Sequence, residues 1–141
     1  MTMNMTKNIE DYKLAWNSHD LNKLISFFAD DSIYDDVAQG TVYRGKQEVT
    51  AFINSMFVDM PDLKLDFKSI FGAGDWMGIE VVMSGTFAHS SIPGIKATGK
   101  TFSLRGVSVI QLRNGLITRK SFYVNMATFL QQVGLMPGQS K

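Results

Sequence analysis

The sequence predicts an α+β fold in which helices pack on one face of a curved antiparallel sheet. In the first half of the chain, apolar residues recur at the spacing of an α-helix, and in the second half they alternate with polar residues as in a β-strand. Asn114 and Gly115 form the dipeptide that favours a type I′ hairpin turn. Helices followed by a meander of strands are typical of α+β domains.

Three helices are predicted in the first half, each from a stripe of apolar side chains on one face. In the first helix the stripe is Met5, Ile9, Tyr12 and Trp16. Asp20 is placed to cap the second helix. The stripe of that helix is Leu21, Leu24, Ile25 and Phe28. The third helix follows Gly45 and ends near Pro61. Its stripe is Val49, Phe52, Ile53, Met56 and Phe57.

The rest of the chain predicts strands and turns. Residues 32–45 are rich in turn-forming residues and predict short strands at best. Strands are expected at 63–67, at 76–88 and at about 100–113, and a last strand follows the hairpin turn. This last strand runs into a short C-terminal helix, for which Asn125 is a preferred N-cap and Gly134 a suitable stop.

The hairpin also predicts which strand residues share a face. A two-residue turn sets Arg113 opposite Leu116, and regular pairing then sets Ser108 opposite Ser121. One face would mix polar and apolar side chains, as the wall of a ligand cavity does. Its residues are Leu104, Gly106, Ser108, Ile110, Leu112, Ile117, Arg119, Ser121, Tyr123 and Asn125. The opposite face is apolar at its centre, so we expect a homodimer that covers it through the sheet.

Composition narrows the classes of function. The 141 residues suit one domain spanning 1–141, with 45% hydrophobic and 19% charged residues. A net charge of +1 without a basic block argues against nucleic acid as a partner. No signal peptide and no run long enough for a membrane span are recognised, so a cytoplasmic protein is expected. No metal-ligand cluster and no dinucleotide fingerprint occur, so no cofactor and no metal are expected.

Several stretches together resemble one known family. They are AWNSHDLNKLISFFADDSIYDD, YRGKQEVTAFI, GTF…GIKATGK, RNGLIT and FYVNMATFLQQVG. Their order and spacing are similar to the SnoaL-like polyketide cyclases, within the nuclear transport factor two-like (cystatin-like cone) superfamily, from about residue 8 to 135. The resemblance implies a cone-shaped α+β barrel with a pocket inside, in which three N-terminal helices close one side of a strongly bent sheet.

The resemblance also implies where acid/base chemistry would lie. In the polyketide cyclases an aspartate at the end of the last strand is the general acid/base of an aldol closure. The matching residue here is Asn125, whose amide is neither an acid nor a base near pH 7. The family histidine that follows a Gly-Thr pair is matched by Phe87.

A more distant resemblance is to the ketosteroid isomerases, which share the cone. Their oxyanion-donating tyrosine on the first helix matches Tyr12, and their proton-carrying aspartate after the second helix matches Asp35. Their second, protonated aspartate falls near Ser108 or Val109, so the match supplies no carboxyl group there.

Two functions remain open on this evidence. The first is a cofactor-free cyclase or isomerase that moves a proton on a hydrophobic, polyketide- or steroid-like carbonyl compound, with Asp35 as the base and Tyr12 and Asn125 completing the catalytic set. The expected substrate-binding residues are Trp16, Phe57, Ser108, Ile110, Ser121 and Tyr123. The second is a non-catalytic small-molecule binder or dimeric scaffold that has lost the acid/base aspartate.

Each catalytic candidate also has an ordinary structural interpretation. Asn125 can be a helix cap, Tyr12 a core tyrosine, and Asp35 part of a solvated acidic turn. Neighbouring residues of an extended chain point to opposite faces, and the sequence leaves open whether Asp35 or Asp36 points inward.

Overall fold

The computed structural model describes residues 4–138, which form four helices and six strands. The helices are α1 (Ile9–Asn17), α2 (Leu21–Ile25), α3 (Gly45–Asp59) and α4 (Met126–Gln132). The strands are β1 (Phe28–Asp36), β2 (Thr41–Arg44), β3 (Lys64–Ala73), β4 (Trp76–Thr86), β5 (Thr101–Arg113) and β6 (Leu116–Val124). The α+β class and the cone of helices on a bent sheet are confirmed.

The strands form one six-stranded sheet in the order β2-β1-β6-β5-β4-β3. All neighbouring pairs are antiparallel except β1 and β6, which run parallel. Two expectations were therefore wrong for β1. Its pairing with β6 is parallel and not antiparallel, and it is longer than the short strands expected in residues 32–45. This strand spans nine residues, and Ser32, Tyr34 and Asp36 alternate toward the interior. Pairing on both sides outweighs the local preference of these residues for turns.

The predicted helix signals are present in the structure. The Asp20 carboxylate caps α2 by accepting a hydrogen bond from the Lys23 backbone N–H at 3.1 Å. Phe28 begins β1 instead of continuing the stripe of α2. The apolar stripes of α1 and α3 are buried in the core, and Tyr12, Trp16 and Ile53 are at most 1% exposed.

The β5–β6 hairpin begins as the sequence predicts. Asn114 and Gly115 adopt the left-handed φ values of 53° and 80° that a type I′ turn requires. Arg113 pairs with Leu116. After the next pair, Thr118 is an extra residue on β6, and its hydroxyl donates to the Gln111 carbonyl at 3.1 Å. Such an insertion is a β-bulge.

The bulge overturns the predicted register beyond Thr118. Ser108 pairs with Phe122 instead of Ser121, and Ile110 pairs with Lys120. Because side chains alternate between faces, a shift of one residue exchanges the inner and outer sets of β6. Lys120 and Phe122 therefore face the interior, whereas Ser121 and Tyr123 face outward.

Candidate functional site

A cavity of about 380 Å³ lies between the inner face of the sheet, α3, α4 and the segment that follows β4. The size falls within the usual range of small-molecule sites. Most of its wall is apolar. The apolar side chains are Phe52, Met56, Met60, Met83, Phe87, Ile92, Pro93, Leu104, Phe122, Val124, Met126 and Phe129.

The one carboxyl of β1 that reaches this cavity is that of Asp36. The residue is 6% exposed, and its Oδ2 accepts a hydrogen bond from the Gln39 side-chain amide at 2.7 Å. Burial raises the pKa of the Asp36 carboxyl above its usual 3.8, and the neighbouring Asp35 acts in the same direction. A buried carboxyl with a raised pKa beside an apolar cavity has the properties of a general base.

Two tyrosines line the cavity close to this carboxyl. Tyr43 stacks on Phe52 with ring centroids 4.1 Å apart, and burial followed by the charge of Asp36 raises its pKa. Tyr34 is 1% exposed, and burial raises its pKa, with the charges of Tyr12 and Asp36 adding to the effect. Both phenols therefore stay protonated at neutral pH and can donate hydrogen bonds to a ligand oxygen.

A second carboxyl in the cavity wall has a structural partner. Asp59, the last residue of α3, accepts hydrogen bonds from the Ser91 backbone N–H at 2.8 Å and the Ser91 hydroxyl at 2.7 Å. The Asp59 backbone carbonyl accepts from the N–H groups of Ala88 and His89. These bonds hold the segment that carries Ile92 over the mouth of the cavity.

Beneath the cavity lies a buried lysine. Lys120 is 3% exposed, and its Nζ donates to the Tyr12 hydroxyl at 3.2 Å. The ammonium is surrounded by aromatic rings, with ring centroids at 4.5 Å for Trp16, 5.2 Å for Tyr34 and 5.7 Å for Phe122. No Asp or Glu within residues 4–138 forms an ion pair with it. Burial lowers the pKa of Lys120 from 10.5 to about 7.

The sequence model of the SnoaL-like polyketide cyclases matches residues 7–133. The chain belongs to this family. A candidate polyketide cyclase from Xanthomonas campestris has a similar structure, with a TM-score of 0.79 and 27% identity over 91% of this chain and 95% of that one. A candidate polyketide cyclase from Pseudomonas putida superposes with a TM-score of 0.83 at 23% identity, over 93% and 98% of the two chains.

A third similar structure is described by its fold and its bound molecule. It is a protein with a ketosteroid isomerase-like fold from Catenulispora acidiphila, in complex with trimethylamine. Its TM-score is 0.77 at 23% identity, over 94% of this chain and 96% of that one. At this identity the likeness supports the fold alone.

Within this SnoaL-like chain, the structure places Asp35 away from the cavity. Asp35 pairs with Ser121 on the outer face of the sheet, and its Oδ2 accepts a hydrogen bond from the Arg119 guanidinium at 3.0 Å. The hypothesis that Asp35 is the base needs its side chain in the pocket, but β1 alternates its side chains and directs Asp36 inward.

Asn125, at the family's acid/base position, is the N-cap of α4. Its side-chain oxygen accepts from the Thr128 backbone N–H at 3.2 Å, and the residue is exposed and does not line the cavity. The structure thus gives the carboxamide the capping contact that the sequence predicts.

The other predicted residues also lie off the cavity wall. The bulge at Thr118 directs Ser121 and Tyr123 to the outer face. The remaining ones are buried on the interior side of the fold, where neighbouring side chains separate them from the cavity. They are Tyr12, Trp16, Phe57, Ser108 and Ile110.

Sequence reasoning kept Asp36 only as the alternative to Asp35 and missed Lys120. For Asp36 a signal existed, because Tyr34 two residues earlier is a large apolar side chain that favours the same inward face. Lys120 carried a misleading signal, because a lysine in a strand is normally exposed. Its inward direction depends on the bulge.

Among residues 4–138, no group of three or more His, Cys, Asp or Glu side chains could hold a metal ion. No helix of this part of the chain is long and apolar enough to cross a membrane.

Proposed function

We propose that this SnoaL-like protein binds a hydrophobic carbonyl compound in the cavity and moves a proton on it without a cofactor, as a cyclase or isomerase does. The observation that carries the proposal is the Asp36 carboxyl, which is buried in the wall of an otherwise apolar cavity and has a raised pKa. Such a group is a stronger base than an exposed carboxylate when ionised, and burial keeps water from competing for the proton.

The chemistry needs one base and one donor. Ionised Asp36 takes a proton from the carbon next to the carbonyl group, and the electron pair of that C–H bond forms an enolate. The Tyr34 or Tyr43 hydroxyl, each in the cavity wall, donates a hydrogen bond to the enolate oxygen. Returning the proton to a different carbon gives isomerisation, and attack of the enolate carbon on a second carbonyl gives ring closure.

An exchange experiment tests the base before any substrate is known. In D₂O, an enzyme that forms the enolate of 2-tetralone exchanges the hydrogens next to its carbonyl for deuterium, which proton NMR follows directly. We expect Asp36→Asn to slow this exchange by about 100-fold or more, because the amide cannot accept the proton.

The matched control is Asp35→Asn, one residue away on the outer face. We expect the Asp35 variant to exchange at the wild-type rate. Equal rates in wild type and Asp36→Asn would remove Asp36 as the base, and a loss confined to Asp35→Asn would restore the original sequence hypothesis.

One observation favours a non-catalytic alternative. Asn125 occupies the position of the family's acid/base aspartate and is used as a helix cap. If the protein only binds its ligand, 2-tetralone will bind, as measured by isothermal titration calorimetry, and the wild type will not accelerate its deuterium exchange.

The same proposal includes a homodimer formed through the outer face of the sheet. Phe71 and Val109 lie in one row across β3, β4 and β5, and the Phe71 ring covers Gly78 between them. Tyr123 and Trp76 extend this apolar face, and all four are at least 38% exposed in the single chain. Exposed apolar patches of this kind mark interfaces.

Sedimentation velocity measures the assembly directly. We expect Val109→Lys to convert a dimer into a monomer, because it places a charge at the centre of the interface. Val58→Lys on α3, at an exposed apolar residue outside the sheet, is the control that keeps the dimer. A monomeric wild type would reject the interface.

A further inference from the structure

Lys120 has no role in the proton transfer just described, and its environment is unusual for a lysine. The side chain is buried and its Nζ donates a hydrogen bond to the Tyr12 hydroxyl, and no carboxylate within residues 4–138 forms an ion pair with it. Buried charges in proteins are normally paired. In the part of the chain that the structure describes, the ammonium therefore has no carboxylate within ion-pair distance.

Geometry shows where a negative charge can come from. The Nζ atom lies 5.2 Å from the ring centre of Tyr34 and 5.7 Å from that of Phe122. Both rings belong to the wall of the cavity. The ammonium and a molecule in the cavity therefore contact the same aromatic rings, and these rings exclude the water that would screen the charge.

We propose that Lys120 selects ligands that are anionic or that become anionic in the cavity, such as enolates, phenolates and aromatic carboxylates. This inference rests on the proposed function, because it needs a ligand in the cavity. It also extends that function: when Asp36 takes a proton it becomes neutral, the negative charge passes to the ligand, and Lys120 stabilises that charge. Lys120 acts through Tyr34 and Phe122 without touching the ligand, so it is a selectivity-determining residue and not a catalytic one.

The expected size of the effect follows from the distances. A ligand oxygen in contact with the cavity side of Tyr34 lies roughly 9 Å from Nζ, given a contact distance of about 3.5–4 Å. At an effective dielectric constant of about 20, the attraction over that distance favours an anion by roughly twentyfold over a neutral molecule of the same shape.

Two probes of matched shape measure this preference. We would determine the dissociation constants of 2-naphthoate and 2-naphthamide by isothermal titration calorimetry at about pH 6, where Lys120 carries its charge. The ratio of the two constants cancels differences in apolar contact. We expect Lys120→Met to reduce the preference for naphthoate about twentyfold while leaving the affinity for naphthamide unchanged.

The control is Lys23→Met, which removes the same charge from an exposed position on α2. It should leave the ratio as in the wild type, and near-ultraviolet circular dichroism should show native packing in both variants. An unchanged ratio in Lys120→Met would overturn the selectivity inference and leave the proposed function standing. Failure of both probes to bind the wild type would overturn both.

Discussion

Replacing Lys120 by Met is expected to make the protein more stable. Met has a similar length and no charge, so it fills the same space among the rings of Tyr12, Trp16 and Tyr34. The pKa of Lys120 falls from 10.5 in water to about 7 in the folded protein. Each pH unit between the two values is worth about 1.4 kcal/mol, so keeping the ammonium buried costs about 5 kcal/mol.

The pH dependence has a definite sign. Because the folded-state pKa is the lower one, the unfolded chain binds more protons between about pH 7 and 10.5. Below about pH 7 the buried ammonium destabilises the wild type by its full amount. This destabilisation decreases as the pH rises toward 10.5. From about pH 6 to pH 9, the free energy of unfolding of the wild type should therefore rise by about 3 kcal/mol relative to that of the Met variant.

Urea unfolding of both proteins across this range is the assay, because each free energy of unfolding follows from the linear dependence on urea concentration. Near pH 6, we expect the free energy of unfolding of Lys120→Met to be about 3 kcal/mol higher than that of the wild type. The difference is smaller than the cost of burying the ammonium, because the variant also loses the hydrogen bond to Tyr12. Lys23→Met serves as the exposed control. If the difference in the free energy of unfolding between wild type and Lys120→Met stays constant from pH 6 to pH 9, the Lys120 ammonium is not buried without a compensating charge.

Three further predictions address other parts of the site. Asn125→Ala should lower the free energy of unfolding by about 1 kcal/mol in urea titrations through loss of the α4 cap, whereas Asn125→Asp, which can still accept from the Thr128 N–H, should not. Asp59→Ala should speed hydrogen exchange of the Ser91 amide by about tenfold or more by mass spectrometry, and unchanged protection would contradict the anchoring of that segment. If Asp36 is the base, the rate of 2-tetralone exchange should rise with pH through a pKa above 3.8, and Asp36→Asn should abolish that rise.

Local chemistry is enough to predict much of this fold. The Asn114–Gly115 turn needs two residues with positive φ, and these are residue types that adopt it at low cost. The caps at Asp20 and Asn125 satisfy backbone N–H groups that no other part of the helix can reach. Such signals depend only on neighbours in the chain, so they can be recognised from the sequence.

The candidate site depends on features that are not local. Strand β1 forms because β2 and β6 pair with it on either side, and the sequence of residues 32–36 does not indicate those partners. The inward direction of Asp36 follows from that pairing. A hydrophobic pattern cannot report the insertion at Thr118 either, because the residues on both sides of it alternate normally.

The bulge at Thr118 and the charge of Lys120 are best understood together. A hairpin without the extra residue would direct position 120 outward, where a lysine is stable in water. With the bulge in place, an apolar side chain at position 120 would fill the interior without the cost of about 5 kcal/mol that burial of the ammonium carries. Folding alone therefore explains neither feature. Violations of local rules that lower stability are found mainly at functional sites. Since Tyr34 contacts the Lys120 ammonium and also lines the cavity with Asp36, both features act at the same place. This favours a site built for a ligand that carries negative charge over a cavity that is only a gap in the core.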